Sequence, residues 1–387
     1  MKPSLLTLLI GIIALSFAAM AQAQTTTTTT PSGPLCAAVN GVPTLNISVL
    51  KLPFDPKTGY VANPTSGNPT YNSPQPDPNI TIDPNSAMGT DLKNAFAIAP
   101  QFLQQLLCNL DGVFINPQDC SGFTNSNVCS GVNNKQITDD SWGYREGPWQ
   151  FPPATPPGHY GQYIAISAGP WSQAGTSAPV YSVYEQNLLN LLLPWPSGTT
   201  PPTYSAASSA DTPAMSVVAA LAHELGHVLW YDNFRPTPGG PFTFETFCDG
   251  GFFGGSWEHV DQPPTWREFG ASQNSHVSGD VNISDIALAL LQQGSPALAA
   301  SLLHRIYATK GRWATLFSAF SPDEDFVETF KFYVLTKTTT PLTSLPITIT
   351  AQQIAKTQPP DDIPKDYTNN LKRLLNRKVT CFQQAYP

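Results

Sequence analysis

The stretch ALAHELGHVLWYD, Ala220–Asp232, decides how the rest of this chain is read. Around it Val217, Val218, Leu221, Leu225, Val228 and Leu229 recur at helical spacing, Thr212 stands where a cap is wanted, and Pro213 suits a first helical turn. The pattern predicts a core-facing helix over residues 213–231. Residues four apart on such a helix are offset by only about 40°, so His223 and His227 share one face, one turn apart. Glu224 lies on the flank of that face. With six histidines and eight glutamates in 387 residues, HExxH has an expected chance count of roughly 0.002. A pair of partly buried, hydrogen-bonded histidines is the bland account of the stretch; the rarity of the motif and its helical setting favour a metal site.

Two imidazoles at this spacing can hold one zinc ion, and the adjacent carboxylate can reach a water on the ion without itself coordinating. Zinc lowers the pKa of such a water toward about 7, and a carboxylate within reach takes its proton. His223 and His227 are therefore candidate ligands and Glu224 the candidate general base. A catalytic zinc site usually takes three protein ligands and a water, so one more ligand has to come from elsewhere. The metzincin continuation is excluded, because the offsets of its Gly and third His hold Trp230 and Asn233. Two downstream segments compete. SPDEDFVETFKFYVL, Ser321–Leu335, sets Glu324 and Glu328 four apart on a helical pattern, so one can bind the ion while the other accepts a hydrogen bond from a ligand histidine. FETFCDGG, Phe244–Gly251, offers Glu245 and Asp249 at the same spacing and at a thermolysin-like distance, but amid glycines and prolines that make a poor rigid helix. Ser321 to Glu324 also fits a capping box, in which Glu324 reaches back to the Ser321 amide and Glu328 becomes the ligand.

EDFVETF, Glu324–Phe330, taken with HELGH, resembles the glutamate-helix arrangement of the gluzincins related to anthrax lethal factor and the Pro-Pro endopeptidases. The resemblance covers about a dozen residues. It implies that Glu324 is the third ligand, that Glu328 orients the site without binding the ion, and that one zinc ion per chain serves a metalloendopeptidase. A hydrogen-bond donor to the tetrahedral oxyanion is expected, with Tyr307, Tyr333, His304 and Tyr231 as candidates. The rival readings are an exported, non-catalytic binding protein with a vestigial metal site, and a zinc amidase acting on a non-protein substrate.

Working outward, residues 1–23 read as a signal peptide, with Lys2, an apolar run from Leu5 to Ala19 and small residues at Ala21 and Ala23. Residues 24–34 read as a Thr/Pro-rich low-complexity tether, and 35–387 as one domain. The expected protein is secreted or periplasmic, monomeric, and free of the membrane once the signal is cleaved. Six cysteines in an exported chain point to disulfides, one of them local among Cys108, Cys120 and Cys129. A net charge of -8 argues against nucleic acid as a partner and leaves a peptide or protein substrate. Strand patterns lie mostly within 35–210 and helical ones within 211–387. The expected architecture is a zincin-like α+β fold: a small, mostly antiparallel sheet in the N-terminal half, a zinc-binding active-site helix, and a helical C-terminal half. Gln162 to Ser167 is the candidate edge strand for binding an extended substrate, through Tyr163, Ile164 and Ala165.

Overall fold

Two short antiparallel strands, β1 (Cys36–Val39) and β2 (Val42–Leu45), form a hairpin near the start of the described chain. The computed structural model describes residues 31–39, 42–51, 60–62, 69–71, 74–117, 143–146, 162–171, 176–234, 247–253, 257–261, 264–268, 283–308, 313–342, 347–349 and 374–387. The expected signal peptide, most of the tether, Glu245, Cys120 and Cys129 lie outside these residues. β3 (Ser48–Val49) follows. Leu45 and Val49 thus fall in two different strands, with the Asn46 amide bonded to the Leu35 carbonyl at the break. β4 (Tyr60–Ala62) and β5 (Pro69–Tyr71) make a further small hairpin.

Two helices follow, α1 (Ala87–Ile98) and α2 (Gln101–Cys108), divided at Pro100. Proline has no amide proton to continue the ladder. The Phe96 carbonyl, which that proton would have served, instead accepts from Gln104 Nε2 at 2.7 Å. Ser86 caps α1, its hydroxyl accepting from the Gly89 amide at 3.0 Å.

The largest sheet is made of β3, β6 (Gly112–Asn116), β7 (Gly143–Glu146) and β8 (Tyr163–Ser167), in the order β3-β6-β8-β7. Here the expectation of an antiparallel N-terminal sheet is corrected. β3 runs parallel to β6 and β6 parallel to β8, and only β7 runs antiparallel to its neighbour. The cause is the helical connection: α1 and α2 carry the chain back so that β6 starts at the same end as β3. Burial agrees. Val113, Ile115, Ile164 and Ile166 join the main core, while Phe114, Ala165 and Leu50 form a small second cluster with Tyr163 against it.

The rest is mostly helical: α3 (Tyr181–Leu192), α4 (Pro213–Phe234), α5 (Ile283–Gln292), α6 (Pro296–Ala308), α7 (Pro322–Leu335) and α8 (Leu374–Ala385). A short strand, β9 (Thr203–Tyr204), pairs with β12 (Ile347–Thr348), and β10 (Trp257–Asp261) forms a hairpin with β11 (Pro264–Glu268) that the sequence reading did not foresee. The mixed α+β composition holds. α4 is the axis of the fold, lying against α1, α3, α7, β7 and β8. α8 packs on the far side of α7 through rings: Phe326 and Phe330 meet Phe382 at 4.9 and 5.3 Å between centroids, and Phe247 meets Phe326 at 5.2 Å.

Two disulfides fasten these parts. Cys36–Cys108 ties β1 to the end of α2, so Cys108 is bonded across 72 positions and not to Cys120 or Cys129. Cys248–Cys381 ties the single turn Phe247–Gly250 to α8 across 133 positions, with Cys248 in the left-handed region at φ 59°. Both fit an oxidising, exported environment. No helix among the described residues is long and apolar enough to cross a membrane. Closing the longer loop restricts the unfolded chain strongly. Replacing Cys248 and Cys381 together by alanine should lower stability by about 2–5 kcal/mol, read from urea unfolding.

Candidate metal centre

From Met215 to Trp230 every residue of α4 is buried except His223 and His227. The helix is enclosed all round apart from the one stripe where the two imidazoles look into partly open space, each side chain 13% exposed. α7 lies across that stripe. Gly226 marks the close approach: a Cβ there would stand 3.2 Å from Val327 Cα and Cγ1. Val327 sits between Glu324 and Glu328 on α7, so the approach of Gly226 to Val327 brings both glutamates opposite the histidines.

The start of α7 decides which glutamate faces the ion site. Ser321 is the N-cap, its hydroxyl accepting from the Glu324 amide at 3.4 Å and donating to the Asp323 carboxylate. Only half of the capping box forms. Glu324 gives its backbone amide to the cap, while its carboxylate turns inward: Oε1 lies 3.5 Å from His227 Nε2 and Oε2 lies 3.9 Å from His223 Nε2. His223, His227 and Glu324 can hold a metal ion, with their donor atoms all within 4.8 Å of one another. Ligands about 2.1 Å from a tetrahedral ion stand roughly 3.4 Å apart, so only a small contraction is needed. Glu324 Oε2 is also buried without a hydrogen-bond partner. Such an atom costs free energy unless something satisfies it, and a cation held with the two imidazoles does so.

Glu328 has other work. Its Oε1 lies 2.7 Å from His223 Nδ1, and its Oε2 lies 2.7 Å from Lys331 Nζ and accepts from the Thr315 hydroxyl. Both oxygens are engaged, so Glu328 is the hydrogen-bond partner of His223 and leaves Nε2 of that ring turned to Glu324. Lys331, Thr315 and Glu185, which holds the other side of the Lys331 ammonium at 2.8 Å, had no place in the sequence reading. A lysine three residues after Glu328 was the one available signal.

Charges at the site shift one another. Burial opposes a charge on His223, but the Glu328 hydrogen bond and the nearby Glu324 charge outweigh it and raise the ring to about 9. Burial pushes the Glu324 carboxyl up to about 8 against the pull of His223. Burial also opposes the Glu328 charge, yet the Lys331 ammonium and His223 hold that carboxyl down at about 2. A metal ion competes with the protons on His223 and Glu324. Apparent affinity should therefore climb as pH rises through about 8 and on to about 9, well beyond the ordinary histidine value near ~6.5. Chelator competition from about pH 6 to about pH 10 reads this directly; a plateau already reached near neutrality would contradict it.

Of the remaining expected residues, Glu224 stays beside the three donors and the others are dispersed. Glu224 is buried at 5% exposure, and its charge is felt by both His223 and Glu324. Tyr163, Ile164 and Ala165 lie in β8, which is bonded to β6 on one side and β7 on the other, so the expected edge strand is an interior one. The outer strand beside it is β7, which lies against α4. Strand periodicity marks a strand without saying where in the sheet it falls. Tyr333 donates its hydroxyl to the Tyr386 carbonyl at 2.7 Å, and nine residues along a helix carry it about 13 Å past Glu324. Tyr307 is buried, its hydroxyl against that of Tyr204. His304 is half-buried on α6, and the side chain of Tyr231 lies outside the described residues.

Comparisons of the chain with protein-family models, with curated proteins and with solved structures found no match.

Proposed function

We propose that this protein is an exported, zinc-dependent metallopeptidase of gluzincin type, with His223, His227 and Glu324 as ligands and Glu224 as general base. The observation that carries the reading is the convergence of the three donor groups on one partly open stripe of an otherwise buried helix, with a buried Glu324 oxygen lacking a partner. A zinc ion bound there would acidify a water and polarise the scissile carbonyl. Glu224, on the flank of the histidine stripe, would serve there as general base, taking a proton from such a water and passing it to the leaving amine. Glu328 accepts from His223 Nδ1 and keeps Nε2 directed at Glu324. β7 is one of the two edge strands of its sheet among the described residues and the one that lies against α4, so an extended peptide can add to it by main-chain hydrogen bonds.

The reading is tested on the oxidised protein by zinc content per chain and by a peptide-library screen with and without chelator. About one zinc per chain and chelator-sensitive cleavage support it. A folded protein that retains no zinc sinks it. Zinc without peptide cleavage, but with hydrolysis of N-acyl amides, moves the activity to the amidase class.

A further inference from the structure

We infer that Lys331 is a positioning residue for the metal centre: clamped between Glu185 and Glu328, it fixes the one orientation of the Glu328 carboxylate that aims His223 Nε2 at Glu324. The inference rests on the metal-site reading above. The Lys331 ammonium lies 2.8 Å from Glu185 Oε1 and 2.7 Å from Glu328 Oε2, and these three side chains are 0%, 3% and 1% exposed. Glu185 in turn accepts from the Tyr181 hydroxyl at 2.8 Å. The result is a line of polar contacts from α3, through α7, to the imidazole on α4. Its members divide the Glu328 oxygens between them, Oε2 to Lys331 and Thr315 and Oε1 to His223.

Stability is a poor explanation for this line. Three charges taken out of water lose hydration that their mutual attraction seldom exceeds, and well-packed apolar side chains in their place usually fold as stably. Direction is the better explanation. Without Lys331, Oε2 keeps only the neutral Thr315 hydroxyl, a weaker hold that lets the carboxylate turn and the imidazole tip. The buried ammonium adds a charged contact at the same oxygen and restrains that turn. Residues that orient a ligand histidine typically contribute 10–100-fold in metal affinity. Lys331 touches neither the ligand atoms nor the open stripe, so its effect has to pass through Glu328.

The test compares the full chain with Lys331→Met and with Lys331→Met/Glu185→Met. The double variant removes the carboxylate that the single one leaves unpaired. Three quantities are read: zinc affinity by chelator competition at one pH, stability by chemical denaturation, and the His223 Nδ1–H proton resonance of the metal-free protein, assigned by its absence in His223→Gln. Both variants should lose roughly 10–100-fold in zinc affinity and shift or broaden that resonance, and the double variant should recover stability without recovering affinity. Parent-like affinity with an unchanged resonance in the double variant overturns the inference. So does failure of both variants to fold, which would make Lys331 a structural ion. If the parent itself retains no zinc, the metal reading fails, and the resonance alone decides whether Lys331 orients His223.

Discussion

Glu324→Ala should leave a folded protein that no longer retains its metal. Structural zinc sites of four ligands bind with about 10–16 kcal/mol, so a single ligand accounts for roughly 3–4 kcal/mol, or about 10²–10³-fold in affinity. The loss should come without a cost to the metal-free fold. The Ser321 cap is made to the Glu324 backbone amide, which alanine keeps, and the truncation removes a buried oxygen that had no partner. Metal per chain and the unfolding midpoint of the metal-free protein, measured side by side, should therefore part company: the first collapses, the second holds or rises slightly. Glu328→Ala should behave differently on both counts. It strips Lys331, Thr315 and His223 of a shared partner, so the fold weakens along with the metal affinity. A protein that keeps its zinc after Glu324→Ala would remove Glu324 from the ligand set.

Glu224→Gln should separate binding from chemistry. The amide has the shape of the carboxylate it replaces and fits the same buried position, but it cannot take a proton from a water. Zinc content should stay near that of the parent, while kcat/KM for a cleaved peptide falls by about 10²–10⁴-fold, the usual contribution of a positioned general base. The loss should sit in kcat, since no substrate contact is altered. Parent-like turnover in a zinc-replete Glu224→Gln protein would refute the assignment of the base.

The centre of this fold was readable before any coordinates, and the reason lies in α4. Its apolar stripe, its cap and its two histidines carry signals of different kinds that agree, and the helix runs as Pro213–Phe234 against an expected 213–231. The choice among glutamates was open in the sequence because Ser321, Glu324 and Glu328 satisfy two rules at once, a capping box and a ligand pair. Tertiary packing sets their positions: Gly226 lets α7 come close enough for Glu324 to face the imidazoles. Lys331 was not readable, since lysine usually marks a solvated face and its two carboxylate partners come from Glu185, far away in sequence, and from Glu328, already given another role. The same limit applies to the sheet. The short apolar run identified the β8 segment as a strand, whereas its two neighbours, and hence its interior position, depend on where α1 and α2 send the chain.

The Cys248–Cys381 disulfide fastens α8, and α8 presents Lys378 to Asp325 at 2.5 Å, one residue from Glu324. Time of synthesis gives this arrangement a meaning. A chain emerging from its N-terminus exposes His223 and His227 early, Glu328 only 105 residues after His223, and Lys378 a further 53 residues beyond Asp325. A half-made chain, or one whose cysteines are still reduced, thus has the HExxH helix without the support that stands behind Glu324. The group of three donors is thus backed on every side only near the end of the molecule's making, once Cys381 has been added and paired with Cys248.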